Sequence, residues 1–419
     1  MGESKQLILG IDLTDEYTQV CCYQYQNNEA ASVNVSMDSS NPLIPTCLLI
    51  KESNKEWVFG EEAVRLNGLY GGIFLDHLIA RLLNHETVLL YDTEWTPTAL
   101  LTKYFKKLLG YLRQHYLNST IAKLVITVDN LSPLLVEKIY ESLKLLGLER
   151  DRVIVISHVE CFMYYILSQK QDLWSNDVGL FHFDKQGLIY YRLIVNRHTL
   201  PAAVIVNKMD LSEELSLSDL EKEEPERLVT KFENIANQLL FKRLTTSLFF
   251  TGPGFLGEWI DNTLKKLCVG RRVFKGQNLY VKGACYAAKA IYHEELKEFI
   301  LVSDEMITTS IGIRIYHNSK EEVHLLAEAG TPWWQVNNSI TVIMDETNEL
   351  EFTITNLLKR EPVKEVLKID GLMERENKTI RLQLQLQFVD RDTAVLHIRD
   401  TGFGTFYETT YRIWEQNLT

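Results

Sequence analysis

Leu7-Ile-Leu-Gly-Ile-Asp-Leu-Thr-Asp-Glu-Tyr-Thr-Gln-Val-Cys-Cys-Tyr23 decides how the rest of this chain is read. An apolar run from Leu7 to Ile11 leads into Asp12, a polar turn follows, and a second strand is predicted from about Gln19 to Tyr25. A strand ending in a carboxylate and a tight polar turn is the layout of a phosphate-binding hairpin, in which backbone N–H groups of the turn face the anion. The turn here reads Thr14-Asp15-Glu16. Two carboxylates stand where a polyanion would sit, and no glycine lets the backbone approach closely. The hairpin is expected; the phosphate cradle is not.

Outward from this hairpin, one order of elements occurs twice. The first half predicts strands near 7–12, 18–25 and 44–50 and a helix over Thr98–His115. A strand at Ala122–Val128, a helix at Ser132–Leu146, a strand at Val153–Ile156 and a helix at Val159–Gln169 follow. The second half repeats this with strands at Val178–Phe183, Leu188–Val195 and Pro201–Val206 and a helix at Pro225–Lys242. Its later elements are a strand at Ser247–Thr251 and helices at about Phe255–Leu267 and Ala284–Leu296. A hairpin plus third strand, then alternating helices and strands, predicts a two-lobed α/β fold. After residue 297 the pattern changes. In Thr379-Ile-Arg-Leu-Gln-Leu-Gln-Leu-Gln-Phe388 every even position is apolar and every odd one polar, the mark of a half-buried antiparallel strand. Similar runs at 309–317, 323–327, 339–345, 350–355 and 394–399 predict a separate β-sandwich-like domain. The expected domains are therefore 1–170, 171–298 and 299–419.

The chain has 419 residues, enough for two or three domains, and its 46% apolar content is that of a globular protein. A net charge of −12 argues against nucleic acid or an anionic membrane surface as the main partner. Cys21, Cys22, Cys47, Cys161, Cys268 and Cys285 form no Cys-x-x-Cys pair, so reduced thiols in a cytoplasmic setting are expected. The first residues carry no basic segment followed by an apolar run, so no secretory signal is expected, and no run approaches a membrane span.

Several segments, in collinear order, resemble the DnaK-type (seventy-kilodalton) heat-shock chaperones of the actin-like ATPase superfamily. Ile44-Pro-Thr-Cys-Leu-Leu with Val58-Phe-Gly-Glu-Glu-Ala-Val-Arg65 is similar to one family segment, and Leu124-Val-Ile-Thr-Val128 through Leu148 to another. Thr251-Gly-Pro-Gly-Phe255 stands where the family has adenosine-binding glycines, and Lys282–Ala288 resembles its interlobe helix. Phe299-Ile-Leu-Val302 is similar to the apolar linker, and 309–315 and 367–372 to strands of the substrate-binding β-domain. The resemblance implies two actin-like lobes (a ribonuclease H-like repeat), then an antiparallel β-sandwich; the family's helical lid is not expected here. By the same resemblance Asp12, Thr14, Asp184, Gly187, Thr251, Gly252, Gly254 and Phe255 are the candidate nucleotide-binding residues.

The departures from the family fall on the chemistry. The second phosphate loop reads Asp184-Lys-Gln-Gly-Leu188 and keeps only Gly187 of three expected glycines. His158 occupies the place of the catalytic Glu, with Glu160 two residues on, and no Lys lies near Phe74-Leu-Asp-His77, where the catalytic Lys is expected. An adenine-contacting subdomain shrinks to an acidic loop, Glu213–Glu226, and one helix. Each lost cation or donor at a phosphoryl-transfer centre costs a few kcal/mol of barrier. The expected protein is thus a pseudo-ATPase that binds protein or peptide as a scaffold or regulatory module, with ATP and Mg²⁺ disfavoured. Its rival is an active ATPase with a rearranged site using Asp12, Asp184 and His158. Asp12 and Asp184 are read either as water-mediated Mg²⁺ ligands or as strand ends and turn caps, His158 as a base or a structural residue. Trp333-Trp334 suits either a peptide groove or the β-domain core.

Overall fold

The computed structural model describes residues 5–34, 42–69, 71–222, 224–357, 359 and 361–418. It is mixed α/β with several sheets and divides into two units. Met1–Ile194 with Val206–Lys297 form the first, and Val195–Ile205 with Glu298–Thr419 the second. Among the described residues no helix is long and apolar enough to cross a membrane.

The first unit opens with β1 (Lys5–Leu13), β2 (Tyr17–Gln24) and β3 (Glu29–Ser32), successive antiparallel strands. The strand expected over 44–50 is divided: β4 (Ile44–Pro45) pairs with β2, while β5 (Leu48–Lys51) turns away. Pro45 has no N–H to continue a ladder, which is where the run breaks. With β6 (Trp57–Phe59) and β7 (Gly72–Leu75), β5 makes a small sheet beside α1 (Gly60–Leu66). The third place in the main sheet goes to the four-residue β3, too short and too polar at its ends to stand out in the sequence. α2 (Leu78–Leu83), the hairpin β8 (Val88–Leu90) and β9 (Thr93–Trp95), and α3 (Pro97–His115) lead back to β10 (Ser119–Val128). α4 (Pro133–Lys144), β11 (Val153–Ser157) and α5 (His158–Leu167) complete the lobe, whose sheet order is β11-β10-β1-β2-β3. Thr96 and Ser132 cap α3 and α4 ahead of a proline at the first helical position, which fixes both starts. The leucines of α3 pack with Leu9, Ile11 and Ile126 in one core.

The second lobe repeats the order. β12 (Asp177–Asp184), β13 (Gly187–Asn196) and β14 (Ala202–Asp210) are followed by α6 (Leu217–Lys222) and α7 (Pro225–Leu240). Then come β15 (Thr245–Thr251), α8 (Asp261–Leu267), β16 (Arg272–Lys275) and α9 (Leu279–Tyr292), and the sheet runs β16-β15-β12-β13-β14. β12 lies parallel to β15 and antiparallel to β13, as β1 does to β10 and β2. Two helices differ from expectation. Pro253–Phe255 is a single 3-10 turn and α8 starts only at Asp261, because Gly257 takes a left-handed φ of 83° between them. α9 begins five residues early and ends at Tyr292, where Glu294 and Leu296 turn left-handed. α9 lies hard against the first lobe: a Cβ on Gly10 would stand 2.3 Å from the Cys285 backbone nitrogen, and one on Gly283 2.2 Å from the Cys161 carbonyl oxygen of α5.

In the second unit β17 (Phe299–Val302), the segment similar to a linker, is a strand parallel to Ala202–Ile205. β18 (Thr309–His317), β19 (Lys320–Ala327), β20 (Asn337–Ile343), β21 (Glu349–Asn356), β22 (Val363–Lys368), β23 (Arg381–Phe388), β24 (Ala394–Asp400) and β25 (Ile413–Asn417) follow. They form two antiparallel sheets, β19-β18-β21-β22 and β20-β23-β24-β25. Ile311, Ile313 and Phe352 of one meet Leu382, Leu384, Leu386 and Leu396 of the other in a shared core. The even positions of β23 are the buried ones, as its alternation predicts. β22 and β25 carry no clean alternation and were not expected as complete strands.

Candidate functional site

Asp12 is the penultimate residue of β1, next to the turn into β2, and is 6% exposed. Its Oδ1 stands 2.8 Å from Nε2 of His158, the first residue of α5. The imidazole is itself buried and lies flat on Tyr280 of α9, ring centres 3.9 Å apart and planes at 5°. Burial alone would drive the proton off His158. The negative charge of Asp12 and the hydrogen bond to it outweigh that, helped by Asp129 and Asp184, and the imidazole titrates above its usual range. Glu160, near the place expected for a catalytic carboxylate, is engaged otherwise. Ser157 Oγ accepts from the Glu160 N–H, and Glu160 Oε2 accepts from the Ser157 N–H at 3.0 Å, a reciprocal capping box that starts α5.

The turn after β1 is closed on itself. Thr14 Oγ1 donates to the Tyr17 carbonyl and accepts from the Tyr17 N–H. Asp15 points the other way, onto the start of α2. Its Oδ1 accepts from the N–H groups of Ile79 and Ala80 at 3.0 and 3.1 Å, and Oδ2 lies 2.7 Å from His77 Nδ1. That hydrogen bond to Asp15 raises the His77 pKa. Glu16 reaches the second hairpin, 3.1 Å from Lys185 Nζ. So the two carboxylates that would meet a phosphate hold a helix start and the opposite lobe instead.

Asp184 ends β12 and accepts from the Gln186 N–H at 2.8 Å. Its other oxygen is 3.0 Å from His182 Nε2. Burial would raise its pKa, but the His182 hydrogen bond and charge and the Gln186 N–H hold the carboxyl below its usual value. Gly187 has φ 109°, and a Cβ there would strike Ser212, so its backbone packs against the 211–215 segment. Thr251 ends β15 with 2% of its surface exposed. Gly252 donates its N–H to Gln277 Oε1 at 3.0 Å, its carbonyl accepts from Gln277 Nε2 at 2.9 Å, and a Cβ on it would meet the Phe183 carbonyl oxygen at 2.3 Å. The Gln277 carbonyl accepts from Gln19 of β2, which ties the two lobes together. Gly254 lies against the Phe183 ring, and Phe255 is wholly buried among Phe183, Phe232 and Phe250.

Asp12, Asp184 and His158 thus gather at one place, around the Tyr280 ring, which also faces His182 at 5.5 Å. Thr14, Gly187 and Gly252 face other parts of the chain, and Phe255 is core. Among the described residues no group of three or more His, Cys, Asp or Glu side chains is placed to hold a metal ion. Tyr280, Gln277 and Gln19 were missed by sequence reasoning, because their partners lie far away along the chain, and His182 because a histidine two residues before Asp184 on a strand carries no motif. Ser157-x-x-Glu160 did carry a readable capping signal.

The sequence model of the family of unknown function DUF5716, C-terminal part, matches residues 29–304. The chain belongs to this family. Residues 306–419 match a domain of unknown function, DUF8552, so the DUF5716 match ends close to where the β-rich unit begins. No curated protein matches this DUF5716 member significantly.

Proposed function

We propose that this DUF5716 member is a degenerate relative of the DnaK-type chaperones, with two actin-like lobes and a β-sandwich. It would bind protein or peptide without using nucleotide. One observation carries the reading: the polar groups around the place a triphosphate would take are already paired within the chain. Asp12 is on His158, Asp15 on the amides of α2, Glu16 on Lys185 and Gly252 on Gln277. A bound polyanion would have to break these pairs and sit among uncompensated carboxylates. The repeated sheet order, with Asp12 and Asp184 at equivalent strand ends, supports the actin-like comparison.

The binding activity belongs to the β-rich unit. Its edge strands leave Val323, Leu325, Val363 and Val366 largely exposed, side chains suited to pairing with an extended apolar segment. A cytoplasmic setting goes with this reading, supported by six free cysteines of which only Cys268 is exposed. Fluorescence anisotropy with a panel of extended apolar heptapeptides tests the proposal. Saturable binding with the same affinity with and without Mg-ATP is expected. Absence of binding, or a tenfold change in affinity on adding Mg-ATP, overturns it.

A further inference from the structure

Away from the interlobe residues, α3 and the β5–β6 hairpin line an open surface cavity of about 510 Å³. Four lysines line it: Lys55 from the hairpin and Lys103, Lys106 and Lys107 from α3. Among the described residues none of the four has a carboxylate partner, whereas the lining Glu56 is taken by Lys51 at 2.9 Å. The chain has 56 acidic against 44 basic residues, so four lysines around one lining carboxylate, Glu56, which also feels the Lys107 charge, are a local excess of cations that composition does not produce, although Lys55 stands over the Tyr91 ring at 3.1 Å. Lys103, Lys106 and Lys107 follow one another at helical i, i+3 and i+4 spacing, where like charges weaken a helix. Lys103 stands over the Trp57 and Trp95 rings, at 5.3 and 5.4 Å from their centres, and burial together with the Lys106 and Lys107 charges lowers its pKa.

Gly110 supplies an independent pointer. It lies inside α3 and lines the same cavity, and a Cβ built on it has no atom within 4 Å. Glycine is unfavourable in a helix interior, and no turn or close approach calls for it here. What its missing side chain does is keep the cavity open beside the three helical lysines.

We propose that this cavity is a binding site for a small, multiply phosphorylated molecule. Lysine ammoniums are compact point charges that pair with phosphate oxygens without fixed geometry, and four of them around one pocket suit a ligand carrying several negative charges. The volume falls within the range of small-ligand pockets, roughly 300–1,000 Å³. The site is separate from the interlobe residues and stands whether or not the peptide-binding reading does.

The probe is inorganic tripolyphosphate, titrated calorimetrically into the full chain at low and moderate salt. One saturable site is expected, weaker as salt rises. Affinity should fall at least tenfold in Lys106→Gln/Lys107→Gln, which removes charge from the helix surface, and in Gly110→Leu, which fills the cavity. Circular dichroism melting confirms that both variants fold. Absence of saturable binding, equal affinity in the wild type and the lysine variant, or preference for a hexaglutamate peptide over tripolyphosphate overturns the proposal.

Discussion

At the scale of residues, the buried Asp12–His158 pair decides most. Both groups have left water, so removing one partner strands the other, at a cost of about 3 kcal/mol or more for a buried pair. Asp12→Asn is therefore expected to lower the unfolding free energy by about 3 kcal/mol in a urea titration. The Glu16–Lys185 pair, by contrast, has side chains that are 51% and 57% exposed, and contributes no more than about 1 kcal/mol. The His158 pair also has a pH signature. The imidazole holds its proton more tightly in the folded chain than its ordinary value of 6.5. Its stabilisation is then complete below about pH 6.5 and is lost as pH rises through the folded value. His77, raised by Asp15, adds in the same direction, while Asp184, held low, matters only on acidification. The expected result is stability that falls as pH rises above about 6.5, with a flatter profile in His158→Gln; an equal slope in that variant would count against the charged pair.

At the scale of elements, glycines separate packing from ligand space. Gly283 carries α9 past α5 with backbone nearly in contact, so Gly283→Ala forces the two helices apart and should cost about 1–3 kcal/mol. Gly110 lies in open space within α3, so Gly110→Ala should stabilise by about 0.5–1 kcal/mol through helix propensity alone. Thermal melts of the two variants should therefore shift in opposite directions. The helices themselves were largely readable. α3 and α4 announce themselves by Thr96-Pro97 and Ser132-Pro133, and their apolar stripes match the buried positions. α8 and α9 were misplaced at their starts because neither has a capping side chain: Ile260 and Asn278 stand at those positions without a side-chain bond. β3 was missed for lack of length, and β22 for lack of alternation. Local physics was legible where it was local.

At the scale of the whole molecule, the duplicated order of strands and helices could be read from period and spacing, and so could the change to antiparallel strands after residue 297. What could not be read is how the interlobe groups satisfy one another. Gln19 finds Gln277 across 258 positions and Asp12 finds His158 across 146, distances over which no periodicity speaks. The sequence pointed to a hairpin hostile to phosphate. The structure adds the reason those carboxylates are tolerated, namely a helix start for Asp15 and a lysine for Glu16. The central proposal, that pairing among the chain's own groups leaves no seat for a nucleotide, is tested most directly by calorimetric titration of Mg-ATP into the protein and into Asp184→Asn. Asp184→Asn leaves the lysine cavity untouched and so separates the two sites. The account predicts that no heat depending on Asp184 appears up to millimolar nucleotide. Micromolar Mg-ATP binding that disappears in Asp184→Asn would contradict it.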